Sequence, residues 1–105
     1  MKIAVSASQN KLDSPLDPRF GRCPFFIIVD SDTMECEAVD SAGAGASGGA
    51  GTSAGQEMVI RGVEVVLTGN CGPNAVQVLQ AAGIKVITGA TGTVREAVEK
   101  LKKEQ

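Results

Sequence analysis

The sequence predicts an α/β protein built on a mixed sheet of about five strands with helices on both faces. The second half of the 105-residue chain alternates short apolar runs with helical periodicity, which is typical of parallel strands joined by right-handed crossovers. The first half holds two strand-like runs around a tight turn, which indicates an antiparallel hairpin. The only aromatic residues are 3 Phe, so aliphatic side chains must build the core, as in sheets that helices cover.

Three strands are predicted in the first half of the chain. Each is a short run that stops at polar turn residues. The third run alternates apolar and charged residues, and this alternation predicts that Cys36 packs in the core as an inert thiol. Between the first two strands, prolines and charges predict a loop. The predicted ranges are residues 3–5, 25–29 and 34–38 for the strands and 11–19 for the loop.

Capping signals place the three helices of the second half. Two capping boxes mark helix starts, and a proline between them suits the first position of another helix. Glycines after the apolar faces predict where the first two helices end. Two strands are predicted between the helices, at residues 63–68 and 84–87. The signals are Ser53 with Gln56 for a start near Ala54, then Gly62, Pro73 and Gly83, and finally Thr93 with Glu96.

A low-complexity segment precedes the first predicted helix. Residues 41–55 are almost entirely Gly, Ala, Ser and Thr, so the segment buries little and loses much backbone entropy on ordering. Its letters match G-x-G-x-x-G, but the match follows a hairpin strand and stands several residues before the helix, which is not the context of a dinucleotide site. We therefore interpret the segment as a mobile loop that acts as a lid.

Composition narrows the function classes. A net charge of −2 and the scarcity of aromatic residues argue against nucleic-acid binding. No apolar run approaches the roughly 20 residues of a membrane span, and the N-terminus does not have the pattern of a signal peptide. The 3 cysteines are irregularly spaced and form no even disulfide framework, which favours a cytoplasmic location. We expect residues 1–105 to form one domain.

The absence of histidine excludes several kinds of site. The chain contains no His, so a Ser-His-Asp or Cys-His nucleophilic centre cannot form within it. Zinc sites of the Cys₂His₂ type are excluded for the same reason, and 3 cysteines cannot make a Cys₄ site in a monomer.

The turn that follows the predicted strand at residues 63–68 is the most informative part of the chain. It contains Gly69, Asn70, Cys71 and Gly72, and Pro73 then opens a helix. Unpaired N–H groups and the positive dipole end of that helix favour an anion or a thiolate, so we expect a lowered thiol pKa at the cysteine. The alternative is that the cysteine is only a small residue that fills a tight turn.

Ligands of such sheets bind outside the carboxyl ends of the parallel strands. Three predicted loops should therefore lie together at one edge of the sheet, at residues 6–10, 68–72 and 88–92. A second thiol, Cys23, stands near Arg19 and Arg22, and two guanidinium groups beside a thiol would form an electropositive pocket. The alternative is an ordinary surface loop whose charges are solvated.

The chain resembles the dinitrogenase iron–molybdenum cofactor biosynthesis family. The resemblance covers nearly the whole chain and rests on the Phe-Gly-Arg-Cys-Pro segment at residues 20–24, the Gly-rich segment, and the Thr-Gly-Asn-Cys-Gly-Pro turn at 68–73. It implies a ribonuclease H-like three-layer fold and, in some members, non-covalent binding of a molybdenum- or iron-containing sulfide cluster. It does not imply nuclease chemistry. Because this chain has no His, histidine ligation of a cluster is ruled out.

The resemblance gives the candidate residues a common role. A sulfide cluster is bulky and anionic, so helix N-termini, arginines and backbone amides could neutralise it. Thiolate suits iron or molybdenum–sulfide chemistry, which makes two cysteines candidate metal ligands. Glycines of the low-complexity segment would permit close backbone approach to the cargo. The candidates are Cys71 and Cys23 as metal ligands, with Gly69, Asn70, Gly72, Arg19, Arg22, Gly43 and Gly45 in contact with the cofactor.

The sequence thus favours a binding or carrier protein for an iron–molybdenum-type or related metal–sulfide cofactor, and not an enzyme. The cofactor would be held non-covalently or by few thiolates, because a carrier must release its cargo. Cofactor-assembly or acceptor proteins are the expected partners. The alternative is a metal-free protein-interaction or regulatory domain. The missing histidine and the even charge balance favour this alternative.

Overall fold

The computed structural model describes residues 1–40 and 50–104, with the side chains of the first helix described from residue 55 onward. Within these ranges five strands and three helices follow one another along the chain. They are β1 (Lys2–Ala7), β2 (Phe25–Asp30), β3 (Cys36–Asp40), α1 (Ala50–Ile60), β4 (Val65–Leu67), α2 (Pro73–Ala81), β5 (Lys85–Ile87) and α3 (Val94–Lys103).

The five strands form one mixed sheet in the order β3-β2-β1-β4-β5. Strand β1 pairs in parallel with β4, and β4 pairs in parallel with β5. Strand β2 is antiparallel to both β1 and β3, which makes the predicted hairpin. The predicted mixed sheet is therefore confirmed, and the carboxyl ends of β1, β4 and β5 lie at the same edge.

Helices cover both faces of the sheet, because the pleat sends alternate side chains to opposite sides. On one face, Met58 of α1 and Leu79 of α2 pack against strand residues such as Val66. On the other face, Val98 and Leu101 of α3 pack against residues such as Val5. The amphipathic patterns predicted from the sequence thus give two core layers, one on each side of the sheet.

The starts of α2 and α3 agree with their predicted signals. Pro73 is the first residue of α2, and the Thr93 side chain accepts a hydrogen bond from the Glu96 N–H in a complete capping box. Among the described residues, no helix is both long and apolar enough to cross a membrane.

The start of α1 differs from the prediction. The helix begins at Ala50, so Ser53 lies inside it and the predicted capping box near Ala54 is wrong. The end of the predicted mobile segment is therefore helical, while residues 41–49 lie outside the described residues. The reason is tertiary packing: a Cβ on Gly55 would lie 3.2 Å from Val78 Cγ1 of α2, so α1 and α2 approach closely. This packing stabilises a helix whose own propensity is low.

The third strand also differs from the prediction. It begins at Cys36, and Met34 lies in the preceding turn with a φ of 61°. Cys36 is exposed, so the prediction of a packed core thiol is wrong. Because β3 is an edge strand, only its Val39 is buried against the helical layer. Alternation along a strand predicts which residues share a face, but not how far a helix covers that face.

Candidate functional site

The candidate site lies where β4 ends and α2 begins. Gly72 is the N-cap of α2 in an extended conformation, and no side chain caps the helix. Within the described residues, the N–H groups of Cys71, Gly72 and Asn74 have no hydrogen-bond acceptor. These groups lie at the positive end of the helix dipole, which is a favourable environment for an anion.

The loops predicted to lie together at the carboxyl ends of the strands do so. Gly89 N–H donates to the Gly69 carbonyl at 2.9 Å, and Ala90 N–H donates to the Thr68 carbonyl at 3.2 Å. The Ser6 and Thr68 hydroxyls are 2.8 Å apart in a buried hydrogen bond. This prediction is confirmed, and the turn at residues 68–72 is fixed to both neighbouring strand ends.

A longer loop, which carries the predicted site residues Arg19 and Arg22, also reaches the site, and its backbone pairing with the turn at residues 68–72 was not predicted from the sequence. Residues 8–24 cross the sheet edge, where Asn70 N–H donates to the Pro18 carbonyl at 2.7 Å and Phe20 N–H donates to the Asn70 carbonyl at 3.2 Å. These bonds place Arg19 in a bridge with Asn70. The local signals were Leu16 and Phe20, two large apolar residues of this loop that are both buried. The same bonds occupy the backbone of Asn70, so its exposed side-chain amide, and not its N–H, is left for a ligand.

Gly69 is required where the two loops cross. A Cβ at this position would lie 2.6 Å from Pro18 Cβ and 2.7 Å from Pro18 Cα. Distances this short force the backbone to move, so only glycine permits this crossing. The glycine predicted to contact a cofactor thus has a structural reason for its presence, independent of any ligand.

Asp17 and Arg19 form the principal ion pair of the site. Arg19 Nε lies 3.1 Å from Asp17 Oδ1, and Arg19 Nη2 lies 3.1 Å from Asp17 Oδ2. The Asp17 side chain is only 5% exposed, whereas that of Arg19 is 63% exposed. The hydrogen bonds from Arg19 hold the pKa of Asp17 below its usual value despite burial. The guanidinium is therefore fixed on one side and open to solvent on the other.

Cys71 departs from its predicted chemistry. Its side chain is half-buried and packs against the core layer under α1 and α2. Burial raises the pKa of the Cys71 thiol, so the prediction of a pKa lowered by the helix N-terminus is wrong. Desolvation disfavours the thiolate, because the half-buried side chain is partly shielded from water.

Alkylation of Cys71 is expected to require a higher pH than alkylation of an unstructured thiol. The thiolate is the reactive form, and burial raises the pKa at which it appears. The measurement is the iodoacetamide rate against pH in Cys36→Ser protein, because Cys36 is the exposed thiol. Glutathione serves as the reference. A midpoint below that of glutathione would contradict the expectation.

Cys23 lies in the core and not in an electropositive surface pocket. It is 0% exposed, and its thiol donates a hydrogen bond to the Phe20 carbonyl at 3.4 Å. The thiol is therefore enclosed in the apolar layer in which Phe20 also packs, and the role of Cys23 as a metal ligand stays a prediction. Arg22 is exposed on the same loop. Gly43 and Gly45 lie outside the described residues.

The described ranges contain no group of three or more Cys, Asp or Glu side chains placed to hold a metal ion. Other polar groups lie at this edge of the sheet: backbone N–H groups at the start of α2 with no acceptor among the described residues, the half-buried Cys71 thiol, and Arg19, whose backbone pairs with that of Asn70. Such groups recognise a bulky anion by its charge and add one soft ligand.

The fold and this site define an α/β protein with a mixed five-stranded sheet, in which a helix N-terminus lies at the carboxyl edge of the parallel strands. The chain belongs to the dinitrogenase iron-molybdenum cofactor family, whose model matches residues 1–104.

Solved structures and a curated relative are similar to this chain over most of its length. The apo form of the orange protein from Desulfovibrio gigas is 47% identical with a TM-score of 0.94, over 99% of this chain and 88% of that one. A NifB-like protein from Thermotoga, solved by NMR, is 34% identical with a TM-score of 0.83, over 97% of this chain and 87% of that one. An uncharacterised protein of Methanocaldococcus jannaschii is 30% identical over 94% of this chain and 83% of its own length.

Proposed function

We propose that this protein binds and carries an iron–molybdenum-type or related metal–sulfide anion at the N-terminus of α2. The observation that carries the proposal is the crossing of two loops, which pairs the backbone of Arg19 with that of Asn70, the residue before Cys71. Membership of the dinitrogenase iron-molybdenum cofactor family supports this class of cargo. The similarity to a protein described in an apo form also supports a binding role, because an apo form lacks a group that the protein binds.

Each residue of the proposed site has a distinct task. The N–H groups of Cys71, Gly72 and Asn74 would donate to sulfur atoms of the cargo. Arg19 and the exposed Arg22 would balance its negative charge. The Cys71 thiol would supply one soft ligand, and its raised pKa means that metal binding must displace its proton. Few coordinate bonds make release to an acceptor possible.

We propose a carrier and not an enzyme. The chain has no His that could act as a general base, and burial raises the pKa of Cys71, which opposes a nucleophilic role. The partners that fit a carrier are proteins that supply the cargo and proteins that accept it. The carrier role and its partners rest on the site and on the family, and the reconstitution of the protein with metal–sulfide cargo tests the carrier role.

The strand order supports a finer fold assignment. We infer a ribonuclease H-like arrangement, because β1, β4 and β5 are parallel, β2 and β3 are antiparallel to β1 and β2 in turn, and helices lie on both faces. The site lies at the carboxyl ends of the parallel strands, where ligands bind in open α/β sheets. The assignment concerns architecture alone and implies no nuclease activity.

Anaerobic reconstitution tests the proposed function. Purified protein is mixed with iron–molybdenum cofactor precursor, or with tetrathiomolybdate plus iron or copper, and the protein peak from gel filtration is analysed for metals and visible absorbance. We expect metal to co-elute at a fixed ratio. Arg19→Gln should weaken binding by roughly tenfold or more, since a hydrogen bond to a charged group contributes about 1.5–3 kcal/mol. Cys71→Ala should reduce the retained metal.

Two matched substitutions serve as controls. Arg95→Gln removes an arginine that pairs with Asp13 at an exposed position, and Cys36→Ser removes an exposed thiol on β3. Both should retain metal as the wild type does. Metal-free protein under every condition would contradict the carrier proposal and favour the alternative of a metal-free interaction domain. Equal loss in the control variants would contradict the assignment of the site.

A further inference from the structure

We infer that Asp17 is a positioning residue for the proposed anion site, where its carboxylate fixes the direction in which the Arg19 guanidinium faces. The inference rests on the proposed function and adds a residue that the sequence pattern did not single out. Asp17 does not itself fit a role in binding an anion, because its charge has the wrong sign. It acts on the cargo only through Arg19.

Asp17 is fixed to the sheet by its own backbone. Its N–H donates to the Ser6 carbonyl at 2.9 Å, and its carbonyl accepts a hydrogen bond from the Ser6 hydroxyl at 2.5 Å. The Ser6 hydroxyl in turn contacts the Thr68 hydroxyl, and both residues are 0% exposed. The Asp17 backbone is therefore anchored at the carboxyl ends of β1 and β4. Thr68, at the end of β4, directly precedes Gly69 of the proposed site.

The carboxylate fixes the arginine at three points. Besides the two side-chain contacts described above, Arg19 N–H donates to Asp17 Oδ1 at 2.9 Å. A paired contact of this kind sets the plane of the guanidinium as well as its position. Since a guanidinium has five N–H donors, the pair leaves about three of them on the terminal nitrogens. With 63% of the side chain exposed, those donors are open to a ligand.

The charge of Asp17 and its positioning role predict opposite effects on anion affinity when the Asp17 carboxylate is removed. The carboxylate cancels much of the arginine's charge, so a site that used Arg19 only for its charge would bind an anion more tightly without Asp17. A site that needs an oriented guanidinium would bind more weakly, because the free arginine must be ordered on binding. Ordering one long side chain costs about 0.5–1.5 kcal/mol, which is roughly a two- to tenfold loss of affinity.

Titration with tetrathiomolybdate separates these alternatives. We expect Asp17→Asn to weaken binding roughly two- to tenfold, and Arg19→Lys to weaken it similarly, because lysine keeps the charge but not the planar pair. Asp13→Asn is the matched control, since it breaks the Asp13–Arg95 pair at an exposed position and should leave affinity unchanged. Tighter binding by Asp17→Asn, or unchanged binding by Arg19→Lys, would overturn the inference.

A second readout does not depend on the cargo. Nitrogen-15 relaxation of the Arg19 Nε–H group in the cargo-free protein should show an ordered side chain in the wild type and in Asp13→Asn, and a mobile one in Asp17→Asn. Equal mobility in all three proteins would overturn the positioning role, whatever the cargo result. If the wild type binds no metal–sulfide anion but Asp17→Asn frees Arg19, the proposed function fails and the positioning of Arg19 by Asp17 stands.

Discussion

Replacing Phe20 with alanine is expected to lower the free energy of unfolding by about 3–5 kcal/mol, the range for removing a buried phenylalanine ring. Phe20 is 1% exposed, and its ring centroid lies 5.1 Å from that of Phe26 at an interplanar angle of 58°. The substitution removes this contact and leaves a cavity beneath the loop. Urea denaturation followed by far-ultraviolet circular dichroism measures the effect, because the chain has no Trp for fluorescence.

The loop that carries Arg19 is expected to loosen at the same time. The Phe20 ring anchors this loop in the core, while the Phe20 N–H bonds to Asn70. Phe25→Ala is the matched control, because Phe25 is only half-buried at the start of β2. Phe25→Ala should lower the free energy of unfolding by less than Phe20→Ala does. Equal costs for the two variants would contradict the role of Phe20 as the anchor of the loop.

Gly69→Ala is expected to lower the free energy of unfolding by about 1–3 kcal/mol, the range for overpacking a tight contact. The new Cβ would lie 2.6 Å from Pro18 Cβ and 2.7 Å from the Pro18 backbone. The two loops would have to separate, which strains the hydrogen bonds between Asn70 and its neighbours Pro18 and Phe20. Metal uptake in the reconstitution experiment should fall together with stability.

Gly72→Ala is the control for this substitution. A Cβ at Gly72 meets no atom of the described residues within 4 Å, and its φ of −65° suits any residue. Its unfolding free energy should fall by less than about 1 kcal/mol, because the cost is only that of alanine at the N-cap of α2. If Gly69→Ala is as mild as Gly72→Ala, the close crossing with Pro18 does not constrain the site.

These two predictions concern the same physical question, which is how firmly the loop at residues 8–24 is held against the turn at 68–72. A binding site that is ordered before its ligand arrives avoids the entropy cost of ordering it later. Phe20 anchors the loop in the core, and Gly69 allows the loop to lie close to the turn at 68–72. Asp17 orients Arg19, which the loop carries. We expect loss of any one of them to weaken anion binding without removal of a ligand atom.

The sequence by itself determined the order of strands and helices, the mixed sheet, and the turn that ends β4. These features follow from local signals: apolar runs, Pro73 at a first helical position, and the capping box of Thr93 and Glu96. It also placed Cys71 before a helix N-terminus, because the turn and the helix start are adjacent in the chain.

The tertiary structure alone decided the chemistry of those residues. Cys36 is exposed because β3 lies at an edge of the sheet, and burial raises the pKa of Cys71 because the core lies against it. Arg19 meets Asn70 across a large separation along the chain, through backbone bonds that no local pattern encodes. Burial, pKa and long-range pairing depend on which surfaces the folded chain brings into contact, whereas periodicity and capping are properties of neighbouring residues.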